Sequence, residues 1–157
     1  MQNKLYRFAL SMVSNNEIAE DIVQEAFIKL WKTRDRLHEI LNLEAWSMRM
    51  VKNLCLDHFK SKYRKTMLFE VSYESPAAQA TPQKQAEVTD TLQQVQNVLK
   101  LLPEQQAHII RLRDMEGYSY KEIAEILQID INVIKVNLHR ARKAVKKEIE
   151  KNESYGL

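Results

Sequence analysis

Apolar residues recur at intervals of three and four over most of this chain, which is the repeat of amphipathic α-helices. In the first 65 residues this repeat predicts three helices, over Leu5–Val13, Glu17–Arg34 and Leu43–Lys65. The second helix is the most regular, with apolar pairs every four residues from Ile18/Ala19 to Leu30/Trp31. These pairs predict a broad buried stripe, and they place Trp31 in the core together with Trp46 of the third helix.

A second group of helical repeats occupies the carboxyl-terminal half of the chain. It begins with the apolar residues between Val88 and Leu102, and Pro103 opens the next helix at a first-turn position, where its missing N–H costs nothing. Gly117 closes that helix as a left-handed cap, and two closely spaced helices follow, the second beginning near Ile131. Polar residues suited to helix ends and N-terminal caps stand at Ser14–Asn16, Asn42, Ser119 with Glu122, and Asp130.

The segment from Thr66 to Glu87 separates the two groups and has no sustained apolar repeat. It is rich in Ser, Pro, Ala, Thr and Gln, which predicts a flexible linker, although MLFEVSY (67–73) alone would also suit a short strand. With only two Gly and three Pro in 157 residues, the composition favours helices. The predicted fold is all-α, with two small helical domains at residues 1–65 and 88–157 joined by a linker at 66–87.

The remaining composition restricts the class of protein. The lone Cys55 offers neither an internal disulfide nor a zinc-type spacing, and this predicts a reduced, cytoplasmic protein. The amino terminus is too polar for a signal peptide, and no apolar run approaches the ~20 residues of a membrane span. The four histidines lie far apart, and no metal-ligand, phosphate-loop or paired-carboxylate motif appears. An enzyme is therefore not expected, and no cofactor or metal is predicted.

The last predicted helix concentrates positive charge. Thirteen residues from Lys135 to Lys147 contain no acid, although the net charge of the whole chain is only +3. Its apolar residues fall in one narrow arc, formed by Ile134, Leu138, Ala141, Val145 and Ile149. A solvated face would usually mix charge signs, and a membrane-lying helix would need a wider apolar face. With the preceding helix and the short turn at 128–130, the segment predicts a DNA-binding helix-turn-helix.

Two groups of motifs resemble a known family when they are taken together. AEDIVQEAFIKLW (19–31) and NLEAWSMRMVKNLCLDHF (42–59) resemble region 2 of bacterial RNA polymerase sigma factors of the extracytoplasmic-function group, within the sigma-70 family. The stretch from Leu102 to Lys147 is similar to their region 4. The resemblance implies a sigma factor that directs core RNA polymerase to specific promoters and aids promoter melting. It assigns residues 1–65 to region 2 and residues 88–157 to region 4.

For region 2, the resemblance implies roles for three groups of residues. Core polymerase would be bound by Asp21, Gln24 and Glu25, while Glu17 and Glu20 only favour a helix N-terminus. The promoter minus-ten element would be contacted by Arg49, Lys52, Asn53, Lys60 and Arg64. The loop from Leu37 to Asn42 would capture a flipped base of the non-template strand. Inward packing of Leu37, Ile40 and Leu41 is an equally open alternative.

For region 4, the resemblance implies that Lys135, His139 and Arg140 face the minus-thirty-five element, with Arg142 and Lys143 on phosphates. The family often has Ser or Thr beside the base-reading positions, whereas this chain has Val136 and Asn137, so a promoter preference does not transfer. The family's first helix usually begins well upstream of Leu5, which predicts a short amino terminus here.

Partners follow from the same resemblance. They are bacterial core RNA polymerase, promoter DNA and an anti-sigma factor, which in this family is often the cytoplasmic part of a membrane protein. The linker would run through polymerase channels, and no direct membrane insertion is expected. The competing hypothesis is an autonomous helix-turn-helix regulator, which would bind duplex DNA without polymerase.

Overall fold

The computed structural model describes residues 1–69 and 90–155. In these ranges the secondary structure is helical, without strands, as the sequence predicts. The helices are α1 (Gln2–Val13), α2 (Asn16–Lys32), α3 (Leu43–Phe69), α4 (Asp90–Leu101), α5 (Glu104–Ile110), α6 (Tyr120–Leu127) and α7 (Ile131–Tyr155). A 3₁₀ turn spans Arg34–Glu39 and a π-helical turn spans Arg111–Met115. The chain divides into two compact units, which are described separately below.

In the first unit, α1, α2 and α3 pack against one another. The break between α1 and α2 is made by two residues: Ser14 adopts a left-handed conformation (φ 53°), and the Asn15 side chain accepts a hydrogen bond from the N–H of Ile18 at 3.0 Å. Asn42 caps α3 in the same way, accepting from the N–H of Ala45 at 2.9 Å. The predicted caps are confirmed, and they set the sharp turns that let the three helices share a core.

The buried stripe of α2 is narrower than predicted, and the placement of Trp31 in the core is wrong. Trp31 is 67% exposed, and the Arg34 guanidinium lies 4.5 Å from its ring centroid, while Trp46 is half-buried. Each step of four residues turns a helix about 40° past a full circle. Over the twelve residues from the buried Ala19 to Trp31 this drift reaches about 120°, which carries the indole out of the interface.

Helix α3 continues four residues beyond its predicted end at Lys65. The hydroxyl of Thr66 donates to the carbonyl oxygen of Lys62 at 2.9 Å, and the helix ends at Phe69. Residues 66–69, predicted as linker, are therefore helical. The rest of the predicted linker, most of the alternative short strand, and Val88 lie outside the described residues.

In the second unit, α4 and α5 pack against α7. The buried apolar side chains include Val98, Leu99, Ile109, Leu112, Ile134 and Leu138. Pro103 lies just before α5 rather than in its first turn, and its carbonyl oxygen accepts from the N–H of Ala107 at 3.0 Å. Past Ile110 the backbone widens into the π-helical turn, and Gly117 ends it with φ 80°, the left-handed cap that the sequence predicts.

Candidate functional site

The exposed side of α2 carries the three predicted polymerase-binding residues. Asp21, Gln24 and Glu25 are all exposed, and they fall within about 100° of one another on the side of the helix away from Ala19 and Ala26. Glu25 forms an i,i+4 ion pair with Lys29 at 3.5 Å. The structure thus gathers the three residues on one polar surface that a partner can reach.

Two hypotheses were open for the apolar residues in the turn between α2 and α3, namely capture of a flipped base and inward packing. The exposure of these residues distinguishes them. Leu41 has a relative exposure of 105%, so it does not pack inward, while Leu37 and Ile40 are half-buried. The Arg34 side chain donates to the carbonyl oxygen of Trp31 at 2.9 Å and braces the start of the turn. Inward packing is therefore wrong for Leu41, whose side chain projects into solvent.

The predicted minus-ten residues form a stripe along α3. Arg49 and Lys52 are half-buried and Asn53, Lys60 and Arg64 are exposed. On an α-helix these five positions fall within an arc of about 120°, and they extend over roughly 22 Å of helix axis. Between Ala45 and Leu68 the helix has six Lys or Arg and one acid, Asp57. This stripe is a cationic surface of a length suited to several phosphates.

Helices α6 and α7 form a helix-turn-helix in the carboxyl-terminal half of the chain. The capping box predicted for α6 is present: the N–H of Glu122 donates to the Ser119 hydroxyl at 3.1 Å, and the N–H of Ser119 donates to the Glu122 carboxylate at 2.8 Å. Gln128 ends α6 in a left-handed conformation (φ 57°), and the Asp130 carboxylate accepts from the N–H of Asn132 at 2.7 Å. These local contacts fix the turn that orients α7.

As the sequence predicts, α7 has a buried apolar side and an exposed basic side. Ile134, Leu138 and Ala141 are buried, while all five predicted minus-thirty-five residues are exposed, namely Lys135, His139, Arg140, Arg142 and Lys143. Beside them, Val136 is 48% exposed, and the Asn137 amide donates to the carbonyl oxygen of Val133 at 2.9 Å. The Asn137 side chain is thus bonded to its own helix, and Val136 offers an apolar contact.

One aromatic ring near the start of α6 was missed by the sequence analysis. The guanidinium carbon of Arg113 lies 4.5 Å from the Tyr120 ring centroid, and the ammonium nitrogen of Lys135 lies 5.7 Å from it. Arg113 also donates to the carbonyl oxygen of Tyr118 at 2.9 Å. Cation–π attraction therefore holds Lys135 toward the first turn of α6. The sequence shows only a Tyr directly after a capping Ser. That pattern does not indicate that Arg113 and Lys135 lie beside the ring.

Arg142 has a partner within its own unit. Its guanidinium forms two hydrogen bonds with the Asp114 carboxylate, Nε to Oδ2 at 2.9 Å and Nη2 to Oδ1 at 2.6 Å. The hydrogen bonds to Asp114 raise the pKa of Arg142 above its ordinary value. The predicted phosphate contact of Arg142 must therefore compete with, or be shared with, a carboxylate that already neutralises its charge.

Two further observations concern chemistry elsewhere in the molecule. Burial raises the pKa of the Cys55 thiol to about 12, so this thiol stays protonated at neutral pH. Among residues 1–69 and 90–155, no three or more His, Cys, Asp or Glu side chains group as they would around a metal ion. In the same ranges no helix has the length and apolar character needed to cross a membrane.

Comparisons with known proteins match both units. The sigma-70 region 2 family model matches residues 1–65, and the sigma-70 region 4 model matches residues 92–145. The ECF RNA polymerase sigma factor SigW of Bacillus subtilis is 31% identical over 160 residues, covering 94% of this chain and 84% of SigW. The ECF sigma factor SigE of Mycolicibacterium smegmatis is 28% identical over 154 residues, covering 97% of this chain and 60% of SigE.

A solved structure gives the same result. The sigma factor RpoE of Bartonella quintana, in complex with the anti-sigma factor NepR, superposes with a TM-score of 0.75 and 27% identity, covering 95% of this chain and 91% of that one. The helical fold, with a helix-turn-helix in the carboxyl-terminal half of the chain, is that of a bacterial transcription initiation factor. This chain belongs to the sigma-70 family, in its extracytoplasmic-function (ECF) group.

Proposed function

We propose that this protein binds bacterial core RNA polymerase, directs it to specific promoters and aids promoter melting. The observation that carries the proposal is the exposed, acid-free basic surface of α7, which is held on a capped helix-turn-helix by Ile134, Leu138 and Ala141. The cationic stripe of α3 supplies a second DNA surface on the same chain. The protein acts as a non-enzymatic initiation factor in the cytoplasm, where core polymerase and promoter DNA are found.

The polar surface of α2 is the proposed polymerase-binding site. Asp21, Gln24 and Glu25 point away from the region 2 core, so their side chains are available without unfolding. Glu17 lies in the first turn of α2, where a carboxylate stabilises the helix dipole. The two kinds of acid on this helix therefore have separable roles, one in binding and one in stability.

The cationic stripe of α3 is the proposed minus-ten surface. Arg49, Lys52 and Asn53 would contact the element, while Lys60 and Arg64 would hold backbone phosphates. The solvent-exposed Leu41, in the turn before α3, adds an apolar side chain with which a flipped base could make contact.

Helix α7 is the proposed reader of the minus-thirty-five element. Lys135, His139 and Arg140 would reach base edges in the major groove, and Lys143 would hold phosphate. Arg142 remains a proposed phosphate contact. Unlike Lys143, it is bonded to Asp114, which reduces the positive charge that it presents to DNA. The cation–π contact with Tyr120 would orient Lys135 before DNA arrives.

An anti-sigma factor is the proposed regulator. The support is that the sigma factor RpoE of Bartonella quintana, which shares this fold at 27% identity, was crystallised with the anti-sigma factor NepR. Such a partner, free or membrane-bound, would compete with polymerase or DNA for the surfaces described above.

Footprinting of a target promoter tests the proposal against an autonomous regulator. The chain alone, core polymerase alone and the two together are compared on the same duplex DNA. Specific protection of the minus-ten and minus-thirty-five regions only by the mixture supports a sigma factor. Equal protection by the chain alone, at symmetric half-sites, would instead identify an autonomous helix-turn-helix regulator.

A further inference from the structure

Val136 stands in the middle of the basic side of α7. It is 48% exposed, and at about 100° per residue it lies opposite the buried side of the helix, which contains Ile134 and Leu138. Its neighbours on the outer side, one turn later, are His139 and Arg140, and both are exposed. An aliphatic side chain therefore occupies the centre of the surface that is proposed to enter the major groove.

Helix stability does not favour a valine at this position. Val is β-branched, loses side-chain freedom in a helix, and has a lower helix propensity than Ala, Lys or Arg. Val133, one turn before Val136, is 39% exposed, so the two side chains form a small apolar patch among cations. Because much of this patch faces water, it would gain free energy from contact with an apolar group outside the chain.

The chemistry around Val136 indicates which apolar group that is. The Asn137 amide nitrogen donates to the carbonyl oxygen of Val133 at 2.9 Å, so this donor is already bonded within α7. The Val136 side chain has no hydrogen-bonding group, so a base that touches it must offer an apolar group. In the major groove that group is the C5-methyl of thymine. A cytosine amino group in the same place would lose water without gaining a partner.

We propose that Val136 contacts the C5-methyl group of a thymine in the minus-thirty-five element and makes thymine the preferred base at that position. Lys135 and Arg140 lie on either side of Val136 around the helix and supply polar contacts, while Val136 adds a contact that only a methyl group completes. This inference rests on the proposed function, because the element is read only if α7 enters promoter DNA.

Deoxyuridine tests this contact, because uracil differs from thymine only in lacking the C5-methyl group. A minus-thirty-five sequence selected by the wild-type holoenzyme is prepared with each thymine, on either strand, replaced singly by deoxyuridine. Full-length wild type, Val136→Ala and Leu92→Ala are each assembled with core polymerase and titrated with the thymine and uracil duplexes. The ratio of the two dissociation constants is the readout, since a general loss of holoenzyme does not change it. Leu92 is the matched control position, because it is 45% exposed and lies in α4, outside the helix-turn-helix.

We expect one deoxyuridine to weaken binding by the wild-type holoenzyme about fourfold, the effect of losing one buried methyl group. Leu92→Ala should keep this ratio. Val136→Ala should bind the thymine and uracil duplexes about equally, because its side chain no longer reaches the methyl group. The helix itself should be retained in Val136→Ala, since Ala has the higher helix propensity.

Two results would overturn the inference. In the first, the selected element contains no thymine, or each of its thymines tolerates deoxyuridine without loss of affinity. In the second, Val136→Ala keeps the wild-type ratio, which would assign the methyl contact to another residue. Specific binding of the unmodified promoter by the wild-type holoenzyme shows that the proposed function holds even if the methyl contact fails. Absence of that specific binding would contradict the proposed function itself.

Discussion

Arg142 and Asp114 form an ion pair with two hydrogen bonds, which joins the basic helix α7 to the π-helical turn at Arg111–Met115. The Nε–Oδ2 distance is 2.9 Å and the Nη2–Oδ1 distance is 2.6 Å, across 28 residues of sequence. The two hydrogen bonds set the direction of the Arg142 guanidinium. Arg142, one cation of the basic helix, is therefore already paired with a carboxylate of the same protein.

Removing the carboxylate should release that cation for DNA. In Asp114→Asn, Arg142 loses its ionic partner, so the holoenzyme should bind promoter DNA more tightly. The slope of log affinity against log salt should steepen by about 0.9, which corresponds to one added phosphate contact. Titrations at several salt concentrations measure both quantities. Glu153→Gln, which changes charge equally at an exposed site far along α7, is the matched control.

The same pair should contribute little to stability. Both side chains are partly exposed, and exposed ion pairs contribute about 0.2–1 kcal/mol. A double-mutant cycle of Asp114→Asn and Arg142→Gln, measured by urea unfolding, gives the coupling free energy. A coupling well above that range, with an unchanged salt slope in Asp114→Asn, would make the pair a structural clamp without a role in charge balance.

The exposed cations of α7 should divide into two functional classes. Lys135→Ala or Arg140→Ala should change the preferred minus-thirty-five sequence, or cost about 1–3 kcal/mol at the affected base pair. Lys147→Ala should weaken binding equally for all sequences. Holoenzyme affinities for a set of single-base promoter variants distinguish these effects. Uniform losses in all three variants would reduce Lys135 and Arg140 to phosphate contacts.

Replacing Asp21 or Glu17 of α2 by Ala should affect different properties, polymerase affinity in the first case and helix stability in the second. Asp21→Ala should lower the affinity for core polymerase by about tenfold, roughly 1.4 kcal/mol, because an exposed contact is removed. Glu17→Ala should leave that affinity intact and lower helix stability by about 0.3–1 kcal/mol. Fluorescence titration with core polymerase and thermal unfolding measure the two effects. If Asp21→Ala binds core polymerase with the wild-type affinity, as Glu17→Ala is expected to do, Asp21 does not belong to the interface.

The capping box should control the local stability of the helix-turn-helix. Ser119→Ala removes the acceptor for the Glu122 N–H and should cost about 1 kcal/mol. Amide hydrogen exchange in α6 should then accelerate about fivefold, whereas amides of α1 should be unchanged. Ser61→Ala, on the exposed face of α3, is the control. Unchanged exchange in α6 would show that packing alone holds the turn.

Local signals in the sequence were enough to predict most of the helix ends. The caps at Asn15, Asn42, Ser119 and Asp130 depend on contacts within three residues, so they can be read from the sequence directly. The extension of α3 was missed because residues 66–69 were grouped with a segment that has no sustained apolar repeat, although Met67, Leu68 and Phe69 are themselves apolar. No Gly or Pro stands between Lys65 and Phe69, so nothing in the backbone stops the helix there.

Other features depend on the folded chain and could not be predicted. Trp31 belongs to a regular apolar repeat, but the drift of that repeat around α2 places it outside the interface. The pairing of Arg142 with Asp114, and of Lys135 with Tyr120, joins residues that are distant in sequence. Such pairs arise from tertiary packing, so the sequence predicted the basic surface without showing which of its charges are already engaged.

Mapping transcript start sites shows whether this chain gives core polymerase its promoter specificity. Purified chain and bacterial core polymerase are incubated with a randomised promoter library, and the 5′ ends of the RNA are sequenced. A sigma factor should give discrete starts that require the chain and lie downstream of shared minus-thirty-five and minus-ten sequences, and Arg140→Ala should alter the minus-thirty-five sequence. Starts that are unchanged by omitting the chain would contradict this role.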